Sequence, residues 1–189
     1  MALDAAAEIQ GSARTVDPAP LLAPLHDLVP DLNIEGAFVQ GDTLSLLQRG
    51  NSGSAVNARI DLSWRGLQRW LAEAGPAPKP AAITRFALGA IDGVALSFTD
   101  GAVLPGGDWL FSAAAEDTSD IYNDGSCAGS AIGLVDASGT IRLLERLSLT
   151  CEVEGIRASA NCETIDLLLV TDADDRRPPA LLLSTTLHR

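Results

Sequence analysis

The chain carries one short pattern three times: an acidic residue, a glycine, a short strand, a tight turn and a second strand. The first copy is Glu35-Gly36-Ala37, the turn Gly41-Asp42, then Leu44 to Leu47. The second is Asp100-Gly101-Ala102, the turn Gly107-Asp108, then Trp109-Leu110-Phe111. The third is Glu154-Gly155-Ile156, the turn Cys162-Glu163, then Ile165 to Leu169. The acidic heads stand 65 and then 54 residues apart, room for a four-stranded antiparallel unit with its loops. An internal repeat of this length limits the fold to architectures built from like units.

The flanks repeat too. Asn57 to Leu62, Ser130 to Val135 and Ala180 to Ser184 read as third strands. Ala13 to Val16, Ile83 to Leu88 and Ile141 to Leu147 read as outer strands preceding each acidic-Gly step. Evenly spaced short strands broken by turns such as Asp136-Ala137-Ser138-Gly139 predict an all-β chain. A sandwich has no cause to repeat an acidic-Gly step in every unit. A β-propeller does, because the inner strand of every blade faces one central channel. The expected fold is a single domain over residues 1–189, a partial β-propeller of about three four-stranded blades. The blades are expected at about 12–62, 83–135 and 140–186. A closed ring needs ~4–8 blades. The chain is therefore read either as a piece of a longer propeller or as half of a homodimer completing a six-bladed ring. In the homodimer, the N-terminal strand of one chain completes the last blade of the other.

One helical pattern interrupts the strands. Ser63 suits an N-cap; Trp64, Leu67, Leu71 and Ala74 share a face; Gly75-Pro76 ends the run. This predicts a short insertion helix in which Trp64 and Trp70 pack. A weaker helical turn, Leu21 to Leu28, is interrupted by Pro24.

The net charge of −12 and pI near 4.4 argue against a nucleic-acid binder. Apolar residues make up 47%, enough for a globular core, and no apolar run reaches the ~18 residues of a membrane span. The first ten residues carry Asp4 and Glu8 and no basic stretch, which reads as no signal peptide. The chain as encoded is thus expected in the cytoplasm, or in the periplasm if it is a piece of a longer protein. Cys127, Cys151 and Cys162 are read as reduced thiols, with a Cys151–Cys162 disulfide left open for an exported chain.

Two sets of residues are candidates for chemistry. Glu35, Asp100 and Glu154 each head an inner strand, so a ring would bring them to one axis. Carboxylates gathered there repel unless a cation or shared protons neutralise them, and calcium, with ~6–8 oxygen ligands, suits such a set. The second set leaves the second strands: Arg49 and Asn51, Glu116 and Asp117, Asp172 and Asp174 with Asp175. These would rim a polar pocket for a small polar or anionic ligand, with Arg49 holding a phosphate or carboxylate. Nucleophilic catalysis has little to stand on. No Gly-x-Ser-x-Gly elbow occurs, and the two histidines, His26 and His188, lie in a Pro-rich connection and at the C-terminal end.

Several stretches resemble an uncharacterised bacterial β-propeller family, itself similar in shape to the phytase-like and gluconolactonase-like propellers. They are Leu32-Asn33-Ile34-Glu35-Gly36-Ala37, Leu47-Gln48-Arg49-Gly50-Asn51, Leu96-Ser97-Phe98-Thr99-Asp100-Gly101 and Ala115-Glu116-Asp117. Gly129-Ser130-Ala131-Ile132-Gly133, Val153-Glu154-Gly155-Ile156 and Leu169-Val170-Thr171-Asp172-Ala173-Asp174-Asp175 continue the resemblance, which spans roughly residues 30–180. It implies calcium-dependent hydrolysis of phosphoesters or lactones, by analogy of fold. Three functions follow from these readings: a metal-assisted hydrolase, a non-catalytic binding or scaffold propeller, and a fragment with no function of its own.

Overall fold

The computed structural model describes residues 2–3, 9–10, 14–50, 56–73, 75–117, 126–172 and 179–188. Strands β1 (Ala2–Leu3) and β2 (Ile9–Gln10) pair as a small ribbon. Helix α1 (Ala19–His26) leads into a first sheet of β3 (Ile34–Gln40), β4 (Thr43–Gln48), β5 (Ala58–Ser63) and β6 (Ala82–Arg85). Helix α2 (Trp64–Glu73) is inserted between β5 and β6. A second sheet holds β7 (Ala90–Ile91), β8 (Val94–Val103), β9 (Trp109–Asp117), β10 (Ser126–Val135) and β11 (Ile141–Arg146). A third holds β12 (Glu152–Ala160), β13 (Thr164–Asp172) and β14 (Leu182–His188). All three are antiparallel meanders of chain-consecutive strands.

The chain is therefore mostly β, with the insertion helix in its expected place. The Ser63 hydroxyl accepts the Gly66 N–H at 2.9 Å, which caps α2. The grouping of strands differs from the expected one. Ile83 and Ile141 lie in strands that pair backward, β6 with β5 and β11 with β10. The four-stranded runs thus go from β3 to β6 and from β8 to β11, and what precedes β8 in its sheet is the two-residue β7 at Ala90–Ile91, not a strand over Ile83 to Leu88. In both cases a strand pairs with the one before it in the chain, β6 with β5 across the α2 connection and β11 with β10 across a short turn, as sequential strands usually do. Residues 14–16, read as an outer strand, have no regular structure, and Ala13 lies outside the described residues. The Leu21–Leu28 pattern forms α1 despite Pro24, because Leu25 is fully buried against Val29 and Ile60.

Each sheet packs on the next. Phe38 and Leu47 of the first sheet meet Phe98, Trp109 and Phe111 of the second. The opposite face of the second sheet, through Leu110 and Ile132, meets Val153, Ile156, Ile165, Leu167 and Leu169 of the third. Because the middle sheet is covered on both faces, β9 is buried at every position from Trp109 to Glu116. This is why that strand is apolar or small at every position from Trp109 to Ala115, with Ser112 its one polar residue there. All four phenylalanines and Trp109 form one aromatic cluster, with Phe98 and Phe111 edge-to-face at 4.9 Å. Such a pair adds about 0.5–1.5 kcal/mol beyond its buried area.

The acidic strands of the three sheets lie together, with β8 against both β3 and β12. Gly36 makes the first approach possible: a Cβ there would stand 2.7 Å from Asp100 Cα. Gly101 returns the contact, since a Cβ would fall 2.8 Å from Phe38 Cδ1. Each of these three strands also skips one residue in its ladder, leaving Glu35, Thr99 and Glu154 as bulges. A bulge re-aims the extra side chain. The structure thereby matches Thr99, and not Asp100, to the two glutamates.

Candidate functional site

Arg49 follows the last residue of β4, and its backbone is fixed by its neighbours. Gln48 is fully buried; its Nε2 donates to Asp31 O at 3.0 Å and Arg49 O at 2.9 Å, while its Oε1 accepts the Asn33 N–H at 2.7 Å. The Arg49 N–H donates to Asn33 O at 2.8 Å. Asn57 locks the next residue to the second sheet: its Oδ1 accepts from Gly50 N and Phe98 N, and its Nδ2 donates to Leu96 O at 2.8 Å.

From this anchor the guanidinium reaches carboxyl groups of all three sheets. Arg49 Nη2 donates to Glu116 Oε2 at 2.7 Å and to Glu152 Oε1 at 2.9 Å. Its Nη1 lies 3.9 Å from Glu35 Oε1 and 4.0 Å from Glu154 Oε1. The inner members are deeply buried, with side chains 7% exposed for Arg49, 1% for Glu116 and 7% for Glu152. Glu35 and Glu154, at 27% and 31%, form the wetter side. Arg49 Nε has no hydrogen-bond partner among the described residues.

One cation cannot neutralise four buried or half-buried carboxylates, since desolvation costs several kcal/mol per ion. The cluster resolves this with a proton. Burial first, and then a hydrogen bond to Glu154, push the Glu152 carboxyl up to about 8, against the opposing pull of Arg49. Glu152 thus holds its proton to a higher pH than an exposed carboxyl group does. Burial works against the Arg49 charge, but the Glu152 hydrogen bond and the charges of Glu152, Glu154 and Glu35 hold its pKa above the usual value. Cys127 sits opposite Glu116 in the β9–β10 ladder. Burial, with the charges of Glu152 and Glu116 adding to it, raises this thiol, and burial raises Cys151. Both stay protonated and poorly nucleophilic. All three cysteines are free.

Members of both predicted sets come together around a single group. Glu35 and Glu154 from the first set and Arg49 and Glu116 from the second meet at the guanidinium. Asp100 is used differently: its Oδ2 accepts the Ile156 N–H at 3.0 Å and ties β8 to β12. Thr99 strengthens the same seam, its Oγ1 donating to Val153 O at 2.6 Å. Asp117 and Asp172 stand exposed at the ends of β9 and β13. Asn51, Asp174 and Asp175 lie outside the described residues. Glu152 is the member that the repeat did not mark. Its place two residues before Glu154 was the available signal, because i and i+2 share a strand face.

A calcium ion does not fit the trio of Glu35, Asp100 and Glu154. Asp100 already serves a backbone N–H, and Arg49 Nη1 stands at the point that Glu35 and Glu154 share. Calcium at its usual ~2.3–2.6 Å from those oxygens would press on a fixed positive charge. Among the described residues, no group of three or more His, Cys, Asp or Glu side chains is arranged to hold a metal. Among the same residues, no helix is long and apolar enough to cross a membrane.

Residues 1–176 match a family model described as a family of unknown function, DUF6910. The chain belongs to that family. No curated protein and no solved structure matches the chain. The DUF6910 match contains the whole Arg49 cluster and ends before β14.

Proposed function

We propose that this DUF6910 protein is a non-catalytic binding module in which the gathered acids are structural. One observation carries the reading: Arg49, the residue expected to hold a substrate anion, is engaged by Glu116 and Glu152 inside the molecule. Its Nη2 is spent on these two acids and its Nη1 faces Glu35 and Glu154, so a phosphate or lactone approaching the guanidinium meets four carboxyl groups. Recognition then belongs to the loop surface around α2. There a cavity of about 400 Å³ lies between Arg14, Asp17, Pro20, Trp70, Pro76 and Ala77. That volume lies in the range of small-molecule sites, ~300–1,000 Å³. An aromatic face beside one cation and one anion suits a small, flat, polar ligand.

The same reading takes the three meanders as propeller blades. Support comes from their stacking, their like order of strands and the bulge shared by β3, β8 and β12.

The experiment is paired. Thermal unfolding is followed in calcium chloride and in chelator, and turnover is assayed on p-nitrophenyl phosphate, p-nitrophenyl acetate and gluconolactone. A binding module gives the same midpoint in both solutions and no turnover. Calcium-dependent turnover that Glu154→Gln abolishes would overturn the reading in favour of a hydrolase.

A further inference from the structure

The third sheet differs from its neighbours in one respect. β5 and β10 are each covered by a further strand, β6 and β11, whereas among the described residues β14 has β13 on one side only. Its free edge can be read from its ladder. Thr171 N donates to Leu181 O, which makes Thr171 and Leu181 a hydrogen-bonded pair. Bonded and non-bonded pairs alternate in antiparallel sheets. Leu183, Thr185 and Leu187 therefore bond to β13, and the N–H and C=O groups of Leu182, Ser184 and Thr186 face outward.

Exposed edges are usually blunted by charge, proline or a bulge. β14 has none of these: Leu182 to Leu187 carries no charged residue and no proline, and its register against β13 is unbroken. In a chain of net charge −12, this is a stretch along which two copies meet without like-charge contact. Beside it lies a groove of about 220 Å³, lined by Leu147, Leu149, Leu169, Leu183, Ser184 and Thr185. Leu149 is 51% exposed there.

We propose that β14 is a dimerisation edge, pairing antiparallel with β14 of a second copy about a two-fold axis at Thr185. The strand is self-complementary in that register. Ser184 and Thr186 exchange backbone bonds with Thr186 and Ser184 of the other copy, which uses the outward groups. Leu183 faces Leu187 of the other copy on the core side, where non-bonded pairs bring side chains closest. The incoming leucine enters the groove beside Leu147 and Leu149. The product is one continuous six-stranded sheet across the two-fold axis, with the two β12 strands at its outer edges.

The test is sedimentation velocity of the full chain over a micromolar concentration series, with Ser184→Pro as the variant. Proline at 184 removes an outward N–H and leaves the ladder to β13 intact, so far-ultraviolet circular dichroism should not change. The expected result is a concentration-dependent dimer for the parent and a monomer for the variant. A parent that stays monomeric throughout overturns the proposal, as does a dimer that survives Ser184→Pro. Oxidative cross-linking fixes the register. Thr185→Cys should link two copies efficiently and Ser184→Cys at least tenfold less. Dimers in which Thr185→Cys fails to link show that another segment, such as the N-terminal strand, occupies the edge, and also overturn the proposal.

Discussion

Replacing Glu152 by Gln tests the protonation of the buried cluster. Glutamine copies the protonated acid: its carbonyl accepts from Arg49 and its amide donates to Glu154. In the parent, the folded-state value of about 8 lies above that of an unfolded glutamate. The folded chain therefore binds more protons than the unfolded chain between those values. The resulting stability is fully present below the unfolded value, near ~4.3, and is lost as pH rises through the folded one. The slope cannot exceed ~1.4 kcal/mol per pH unit, so the ceiling across the window is ~4–5 kcal/mol. Water reaching Glu154, whose side chain is 31% exposed, screens some of this. We expect a loss of about 2–3 kcal/mol for the parent relative to Glu152→Gln. Urea unfolding of both proteins between about pH 5 and about pH 9 reads the difference, and the general self-repulsion of an acidic chain cancels. Parallel stability curves would refute the reasoning, for they would mean that Glu152 ionises in the fold as easily as in water.

Three further outcomes follow. Arg49→Met strands carboxylates from three sheets, and should cost about 3–5 kcal/mol near neutral pH and less in acid, by the same unfolding assay. Gly36→Val places a side chain where even a Cβ would lie 2.7 Å from Asp100 Cα, so β3 and β8 must separate. We expect a loss of at least about 1–3 kcal/mol, with faster amide exchange along both strands. Asn57→Ala removes the acceptor of Gly50 N and Phe98 N and the donor to Leu96 O. It should cost about 2–4 kcal/mol and loosen the first sheet from the second, visible as a change in Trp109 fluorescence.

Much of this architecture was legible in the residues. The acidic-Gly repeat and turn chemistry marked β3, β4, β8, β9, β12 and β13, and the Ser63 cap with Gly75-Pro76 marked α2. Which meander owned β6 and β11 was not legible, because pairing to either neighbour satisfies the same local pattern. Each pairs with the strand before it in the chain, β6 across α2 and β11 across a short turn. The acidic-Gly repeat pointed to a shared site and drew in Glu35 and Glu154, but it misplaced Asp100 by one residue. A bulge at Thr99 shifts that strand, and bulges leave no trace in a spacing. Glycine also proved to have different roles: steric need at Gly36 and Gly101, and only ordinary contact at Gly155. Arg49 was marked as a ligand holder because it follows a second strand, where the repeat put three loops around one polar pocket. Its burial arises from sheets that meet only in the folded chain, which no local pattern encodes.

The most direct probe of the whole arrangement is the nitrogen-15 spectrum of the Arg49 side chain. A guanidinium held by Glu116 and Glu152 should give separate, slowly exchanging Nη signals at neutral pH, with couplings or cross-peaks to both carboxyl groups. An averaged, fast-exchanging signal like that of exposed Arg65 would contradict it.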